Sequence, residues 1–441
     1  MIKRTAIRGP VITFQADPFS TDPMSALRYE ADGLIVIEDG RIVAFDAWEI
    51  LAGMLSEDTE VTHYPDMLIS AGMIDTHIHY PQLPMVASYG EQLLEWLNRY
   101  VFPVEARYDD IGFARSVARS FLSELMRVGT TTAAVFCTVH PQSVDAFFEE
   151  SERLGTCMIA GKVLMDRNAP DNLRDTAQQG YDESSTLIDR WHNKGRQLYA
   201  ITPRFAPTST ERQLELAGSL LKTRDDLFMH THLLENRAEI EWVRELFPAR
   251  SSYLDVYDHA GLLRPRAILA HAVHADEQDF QRCHDTGCMI AHCPGSNQFL
   301  GSGSFPLFNA LKADRRVRVG VGSDIGAGPA LSLLQVLSDG YKVAQGLGTS
   351  LHPAQALWLA TAGGAEALGL EDRIGSIRSG MHADLCIFDP AATPLGRIRS
   401  QTAESLSDLL FALVMLGDDR SIAATWVNGR CVHRRDASPS V

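Results

Sequence analysis

Residues 74–82 read IDTHIHYPQ, with His77 and His79 on either side of one isoleucine. In an extended strand, residues two apart share a face. The pair would therefore aim two imidazoles into one space while Ile78 points the other way. Converging neutral imidazoles are natural ligands for a zinc-like ion. Two histidines alone would also fit unrelated surface groups, so the other polar residues have to decide. Downstream stand His230 and His232 in MHTHLLEN, His271 in LAHAVHA, His292 and Asn297 in AHCPGSN, and Asp324 in GVGSD. His77, His79 and His232 supply three imidazoles and Asp324 a carboxylate, a donor set that leaves a position for water. An ion held there would lower the pKa of that water towards about 7 and make it a nucleophile. Glu235, three residues beyond His232, is within reach as a proton shuttle. His271 can hydrogen-bond the attacking water or a developing oxyanion.

Such residues need a scaffold that brings distant segments to one rim. Strand-like runs occur at 73–79, 131–136, 158–165, 198–205, 227–233, 267–273, 288–294 and 317–324. Helical apolar spacing lies between them, as in SVARSFLSELMRVG, where Gly129 reads as a C-cap, in RAEIEWVRELF and in LSLLQVLSDGYKVAQG. Eight strands each followed by a helix are the count of a (β/α)8 TIM-type barrel, whose chemistry collects where the strands end. The polar residues above fall at those ends. A doubly wound sheet is the competitor, but no GxGxxG follows a first strand. Both termini read differently. GLIVIEDGRIVAF, HADLCIFDP and ATWVNGRCVH are β-rich, with hairpin signals at Asp39-Gly40 and Asn428-Gly429.

Bulk properties exclude several classes. The 441 residues are 45% hydrophobic and 22% charged, an ordinary globular balance, and the formal net charge is −16. Binding nucleic acid by counterion release needs a basic surface, and no long Lys/Arg block is present. The seven cysteines are odd in number and form no CxxC pair, which fits a reducing compartment. The N-terminal stretch lacks the apolar core of a signal peptide. No run approaches the roughly 18 apolar residues needed to span a bilayer. The expectation is a cytoplasmic protein without membrane or nucleic-acid partners.

The ordered set, HxH on strand one, His on strands five and six and Asp on strand eight, resembles the amidohydrolase superfamily. AGMIDTHIHYPQ, ASYGEQLLEWLNRYVFPVE, GKVLMDRN, THLLENRAEIEWV and HCPGSNQFLGSG are similar to segments of the guanine deaminase family within it. The resemblance spans nearly the whole chain, because members also build a small β-sandwich from both termini; GSIRSGMHADLCIFDP looks like the returning segment. It implies a sandwich from 1–70 and 376–441 around a barrel at 71–375. It implies attack of water on C2 of guanine, giving xanthine and ammonia. It assigns the metal to His77, His79, His232 and Asp324, the proton shuttle to Glu235, and a place beside the attacking water to His271.

For the substrate, Arg204 is the expected donor to O6 and N7, a pairing that Arg also makes with guanine in DNA. Gln82 can donate and accept, which suits N3 or N9. Phe205 and Trp96 would wall the flat purine, although the helical stripe QLLEWLNRYVF accounts for Trp96 as packing too. Binuclear superfamily members usually carry a bridging lysine at the end of strand four. Here that strand ends ITPRF, so one divalent ion per subunit is expected. Zinc is the expected ion, and iron or manganese suit the same donors. The deaminase site built on HxE and PCxxC is excluded, since no PCxxC occurs. A homodimer is the family-based expectation. Two alternatives stay open. One is a related aminohydrolase or chlorohydrolase acting on another purine, a pterin or a triazine. The other is a non-catalytic scaffold, against which the complete ligand set and Glu235 argue. His230 shares a strand face with His232 but needs no role, Asp75 is a candidate for supporting the HxH pair, and His292 and Asn297 read as shaping the seventh loop.

Overall fold

The computed structural model of the chain describes residues 4–90 and 92–436. Five strands open it: β1 (Arg4–Phe14), β2 (Leu27–Glu38), β3 (Arg41–Ala47), β4 (Glu60–His63) and β5 (Leu68–Ala71). Nine more form a parallel sheet: β6 (Met73–His79), β7 (Thr130–Phe136), β8 (Cys157–Gly161), β9 (Val163–Leu164), β10 (Leu198–Pro203), β11 (Phe228–Leu233), β12 (Ala267–His271), β13 (Met289–His292) and β14 (Arg318–Val321). Then β15 (Leu385–Phe388), β16 (Ile422–Val427) and β17 (Arg430–Arg434) return to the first group.

The sheet order β14-β13-β12-β11-β10-β8-β7-β6 is that of a TIM-type barrel, with β9 pairing β10 as a short continuation of the third strand. Backbone bonds bring its ends together: His79 N–H donates to Ile325 O at 3.0 Å, and Asp324 N–H to His77 O at 2.9 Å. The Thr76 hydroxyl adds a bond to Val321 O at 3.0 Å. The expected barrel is therefore observed, with strands where the apolar runs predict them. Crossover helices cover it, among them Ile111–Arg127, whose Asp110 cap accepts from Gly112 and Phe113, and Leu333–Gly346. Gly129, two residues past the first of these, has φ +82, the left-handed turn that glycine permits.

The strands of the two ends join into one mixed sheet, β17-β16-β15-β5-β1-β2-β3, with β4 alongside β1. The link between the ends is β15 against β5, antiparallel, Leu385 facing Ala71 and Phe388 facing Leu68. Both predicted hairpin turns are present: Asp39 and Gly40 have φ 48 and 80, Asn428 and Gly429 φ 49 and 74. Two consecutive positive φ values match the right-handed twist of a two-residue hairpin. The sheet buries its own apolar set, including Ile7, Val11, Ile35, Ile69, Ile387 and Trp426. Gly72 leads from this sheet into β6; a Cβ there would collide with Thr131.

Strands buried on both faces usually read as continuous apolar runs. β6 breaks that rule, for Asp75, Thr76, His77 and His79 are all buried within it. Buried polar groups need partners, and the partners found here make the site.

Candidate metal centre and active site

Alternation along β6 sends His77 and His79 to the barrel interior with ring centroids 5.0 Å apart, while Ile78 packs in the outer core. The same alternation on β11 brings His230 and His232 to the same interior. His79 Nε2 lies 3.2 Å from His232 Nε2. Asp324 Oδ1 is 3.1 Å from His77 Nε2 and 3.4 Å from His79 Nε2. His271 Nε2 stands 3.8 Å from the other Asp324 oxygen and 3.6 Å from Glu235 Oε2. Ligand atoms of His77, His79 and His232 lie within 4.8 Å of one another, as do those of His77, His271 and Asp324.

The donor chemistry fits a divalent cation. Burial, with neighbouring histidines adding to it, holds His77, His79, His230 and His232 well below the usual imidazole pKa, so the rings are neutral. His232 Nδ1 faces the Arg204 carbonyl at 2.7 Å. A carbonyl only accepts, so the proton sits on Nδ1 and the Nε2 lone pair faces the centre. His77 Nδ1 is held by His230 Nε2 at 2.8 Å, and His77 Nε2 is buried with no hydrogen-bond partner among the described residues. Bonds of this kind, behind a ligand, orient it toward an ion. Electron-rich atoms crowded about 3 Å apart without protons between them repel, and a cation removes that cost.

The loops that carry these groups are locally strained. His271, Ala272, Leu234 and Asp324 have φ of 74, 47, 50 and 51, a region non-glycine residues rarely occupy. Such conformations persist only where surroundings over-determine them. For His271 the surroundings include Asn297, whose Oδ1 accepts from Nδ1 at 2.9 Å and leaves Nε2 turned to Glu235 and Asp324. For Asp324 they include the backbone bond to His77. Asp75 lies beneath: its Oδ1 accepts from His77 N–H and Ser323 N–H, each at 3.1 Å, and Oδ2 from the Ser323 hydroxyl. Burial pushes Asp75 up to about 7.

Glu235 sits just ahead of the helix Arg237–Leu246 and is 2% exposed. Asn236 caps that helix, and Glu239 Oε2 accepts from both Glu235 N–H and Asn236 N–H at 3.0 Å. Tyr253 donates to Glu239 Oε1 at 2.6 Å. The backbone of Glu235 is thus tied down while its carboxyl points into the cavity. Burial, then the Asp324 charge, raise that carboxyl to about 8. A carboxyl poised near neutrality can both take and give a proton.

A narrow cavity of about 30 Å³ lies over the cluster, lined by His79, Gln82, Trp96, Arg204, Phe205, His232, Glu235, His271 and Asp324, with Leu93, Leu97, Leu300 and Ala327. Of the residues assigned from the sequence to the metal, to proton transfer or to the purine, all line it except His77, which sits beneath. Trp96 belongs to the lining, and its Nε1 is buried without a hydrogen-bond partner among the described residues. Three participants escaped sequence reasoning. His230 and Asn297 hold the rings of His77 and His271, roles that spacing alone could not assign. Glu105, fully buried, binds both Arg204 and Gln82. Its only trace in sequence is an acid closing the apolar run VFPVE. His292 instead faces a separate, largely apolar cavity with Phe305 and Leu307.

Comparison with known proteins gives a consistent picture. The amidohydrolase family model matches residues 68–432. The chain is 50% identical to guanine deaminase of Escherichia coli (strain K12) over 413 residues, 93% of each chain. The structure of the E. coli guanine deaminase superposes with a TM-score of 0.94 at 47% identity, over 98% of this chain and 99% of that one. Guanine deaminase from C. acetobutylicum, solved with guanine in its active site, superposes with a TM-score of 0.86 at 27% identity over 98% and 100%. By sequence, fold and the set of side chains gathered at the barrel mouth, the chain belongs to the amidohydrolase family, among the guanine deaminases.

Proposed function

We propose that the chain hydrolyses guanine at C2, converting guanine and water to xanthine and ammonia. One observation carries this reading: Glu235, His271 and three of the four donors, His79, His232 and Asp324, share one cavity with Arg204 and Gln82. A divalent ion, zinc in this reading, would be held by His77, His79, His232 and Asp324 and would supply Lewis-acid activation of water.

The chain's own groups do the rest. Arg204 donates to the O6/N7 edge, where an unmatched acceptor would cost about 1–3 kcal/mol. Gln82 meets the N3/N9 edge. Phe205 and Trp96 close on the ring and exclude bulk water. The Glu235 carboxylate takes a proton from the attacking water and delivers it to the departing amino group, which leaves as ammonia. Asn297 holds the His271 proton on Nδ1 and turns His271 Nε2 to the water, which it orients by a hydrogen bond. A homodimer follows from the family resemblance and is testable by sedimentation.

The test is ammonia release from guanine by protein purified without added metal, with bound metal assayed on the same sample. Turnover with about one ion per chain supports the reading. Bound metal without turnover of guanine, but with turnover of adenine, ammeline or a pterin, moves the substrate elsewhere in the superfamily.

A further inference from the structure

The two side chains that would read the purine edge are joined by a third, which does not line the cavity. Glu105 ends the short helix Phe102–Glu105, in the segment that roofs the site, and is fully buried. Its Oε2 accepts from Arg204 Nη1 at 2.8 Å, and its Oε1 accepts from Gln82 Nε2 at 3.1 Å. The three residues come from three separate segments, two of them following β6 and one following β10. Around them are apolar side chains; the Arg204 guanidinium lies 5.6 Å from the Phe102 ring centroid. In such surroundings an unpaired guanidinium is costly, and its partner decides where it rests.

The same carboxylate settles the orientation of Gln82. Gln82 Oε1 accepts from Gly326 N–H at 3.1 Å while Nε2 donates to Glu105. A flipped amide would set donor against donor at Gly326 and acceptor against acceptor at Glu105. Gln82 therefore presents to the cavity one remaining N–H and one remaining lone pair, in fixed positions. Arg204, with Nη1 engaged from behind and a planar guanidinium, presents its remaining N–H groups in a fixed direction too. One carboxylate thus determines the donor pattern on two sides of the ring.

We infer that Glu105 is a positioning and specificity residue, which fixes the Arg204 guanidinium and the Gln82 amide so that the cavity selects rings carrying a 6-oxo group. The inference rests on the guanine reading above, in which Arg204 meets O6. Replacing the carboxylate by an amide removes the counter-charge and one of the two matched acceptors while keeping the shape. Arg204 then loses its direction, and ligands that depend on O6 lose more than ligands that lack it.

The experiment compares wild type, Glu105→Gln and Arg204→Met. It measures KM and kcat on guanine, inhibition constants for hypoxanthine, which keeps the 6-oxo group, and for 2-aminopurine, which lacks it, and bound metal. Glu105→Gln is expected to raise KM for guanine and the hypoxanthine constant at least tenfold. The 2-aminopurine constant should rise by a smaller factor, at most a third of the hypoxanthine factor, because that ring has the N7 and Gln82 contacts to lose but no O6 contact, and metal content should hold. Equal weakening of both inhibitors, or no change in either, overturns the inference. If Glu105→Gln does not fold, the double variant Glu105→Gln/Arg204→Met, which has neither buried charge, replaces it. It should show the same ratio of the two constants as Arg204→Met alone, and a further fall in selectivity overturns the inference. Absence of ammonia from guanine in the wild type would be a failure of the functional reading itself, visible before any variant is made.

Discussion

His77 and His230 share a hydrogen bond of 2.8 Å, from Nδ1 to Nε2, across 153 residues of sequence. The bond leaves His77 Nε2 free and directed at Asp324. His230 is thus the group that sets the tautomer and aim of a candidate ligand. Changing such a partner typically costs about 10–100-fold in metal affinity. His230→Ala should show a loss of that size in competition with a chromophoric chelator, with the fold retained by circular dichroism. Unaltered affinity would leave His230 as packing only.

Stripping the ion should abolish ammonia release, and about one equivalent of zinc per chain should restore it. Asp324→Asn weakens the donor set by one negative charge, so the stripped variant should regain little activity at the same zinc concentration. Restoration that needs two equivalents would contradict the single-ion reading.

Glu235→Gln keeps shape and hydrogen bonding but cannot carry the proton. General acid–base groups contribute about 10²–10⁴ in rate, so kcat should fall by that factor with bound metal unchanged. Retained turnover would move the shuttle to another residue.

Lysine cannot reproduce a planar guanidinium that bonds Glu105 from one side and a purine from the other. Arg204→Lys should raise KM for guanine by about 10–100-fold, in line with one lost paired contact of about 1–3 kcal/mol. Since the bond to His232 comes from the Arg204 backbone carbonyl, metal content should not change.

The pH dependence of the metal-free protein follows from its buried acids. Burial places Glu235 near 8 and Glu239 and Asp75 near 7. A raised carboxyl pKa stabilises the fold fully below the ordinary carboxyl range, and that stability is lost as pH rises through the folded value. The neutral site histidines act oppositely, losing stability as pH falls below about 6.5. Below about 6.5 the two effects oppose each other, whereas between about pH 7 and 8.5 the histidines are neutral in both states and only the acids titrate, so Tm of the metal-free protein should fall over that range and level off above it. Glu239→Gln should flatten the alkaline limb, and a Tm that climbs steadily to pH 9 would contradict the assignment.

Whatever depends on neighbours a few residues apart was legible in the chain. The two-residue spacing of His77 and His79 put both on one strand face, and Asp-Gly and Asn-Gly dictated two hairpins. Apolar runs alternating with helical stripes specified a barrel, and with it the rim where His232, His271 and Asp324 would appear. Those are local stereochemistry and periodicity, written into the chain wherever it folds. The burial of Glu105 between Arg204 and Gln82, the backing of His77 by His230 and the hold of Asn297 on His271 came instead from the folded arrangement. Each of these pairs joins segments that meet only when the barrel closes and its roof packs down. The left-handed backbone at His271 and Asp324 belongs to the same class, because it is stabilised by contacts from other strands. Burial and desolvation, which raise Glu235 and keep the histidines neutral, are likewise properties of the assembled interior and of no single stretch of chain.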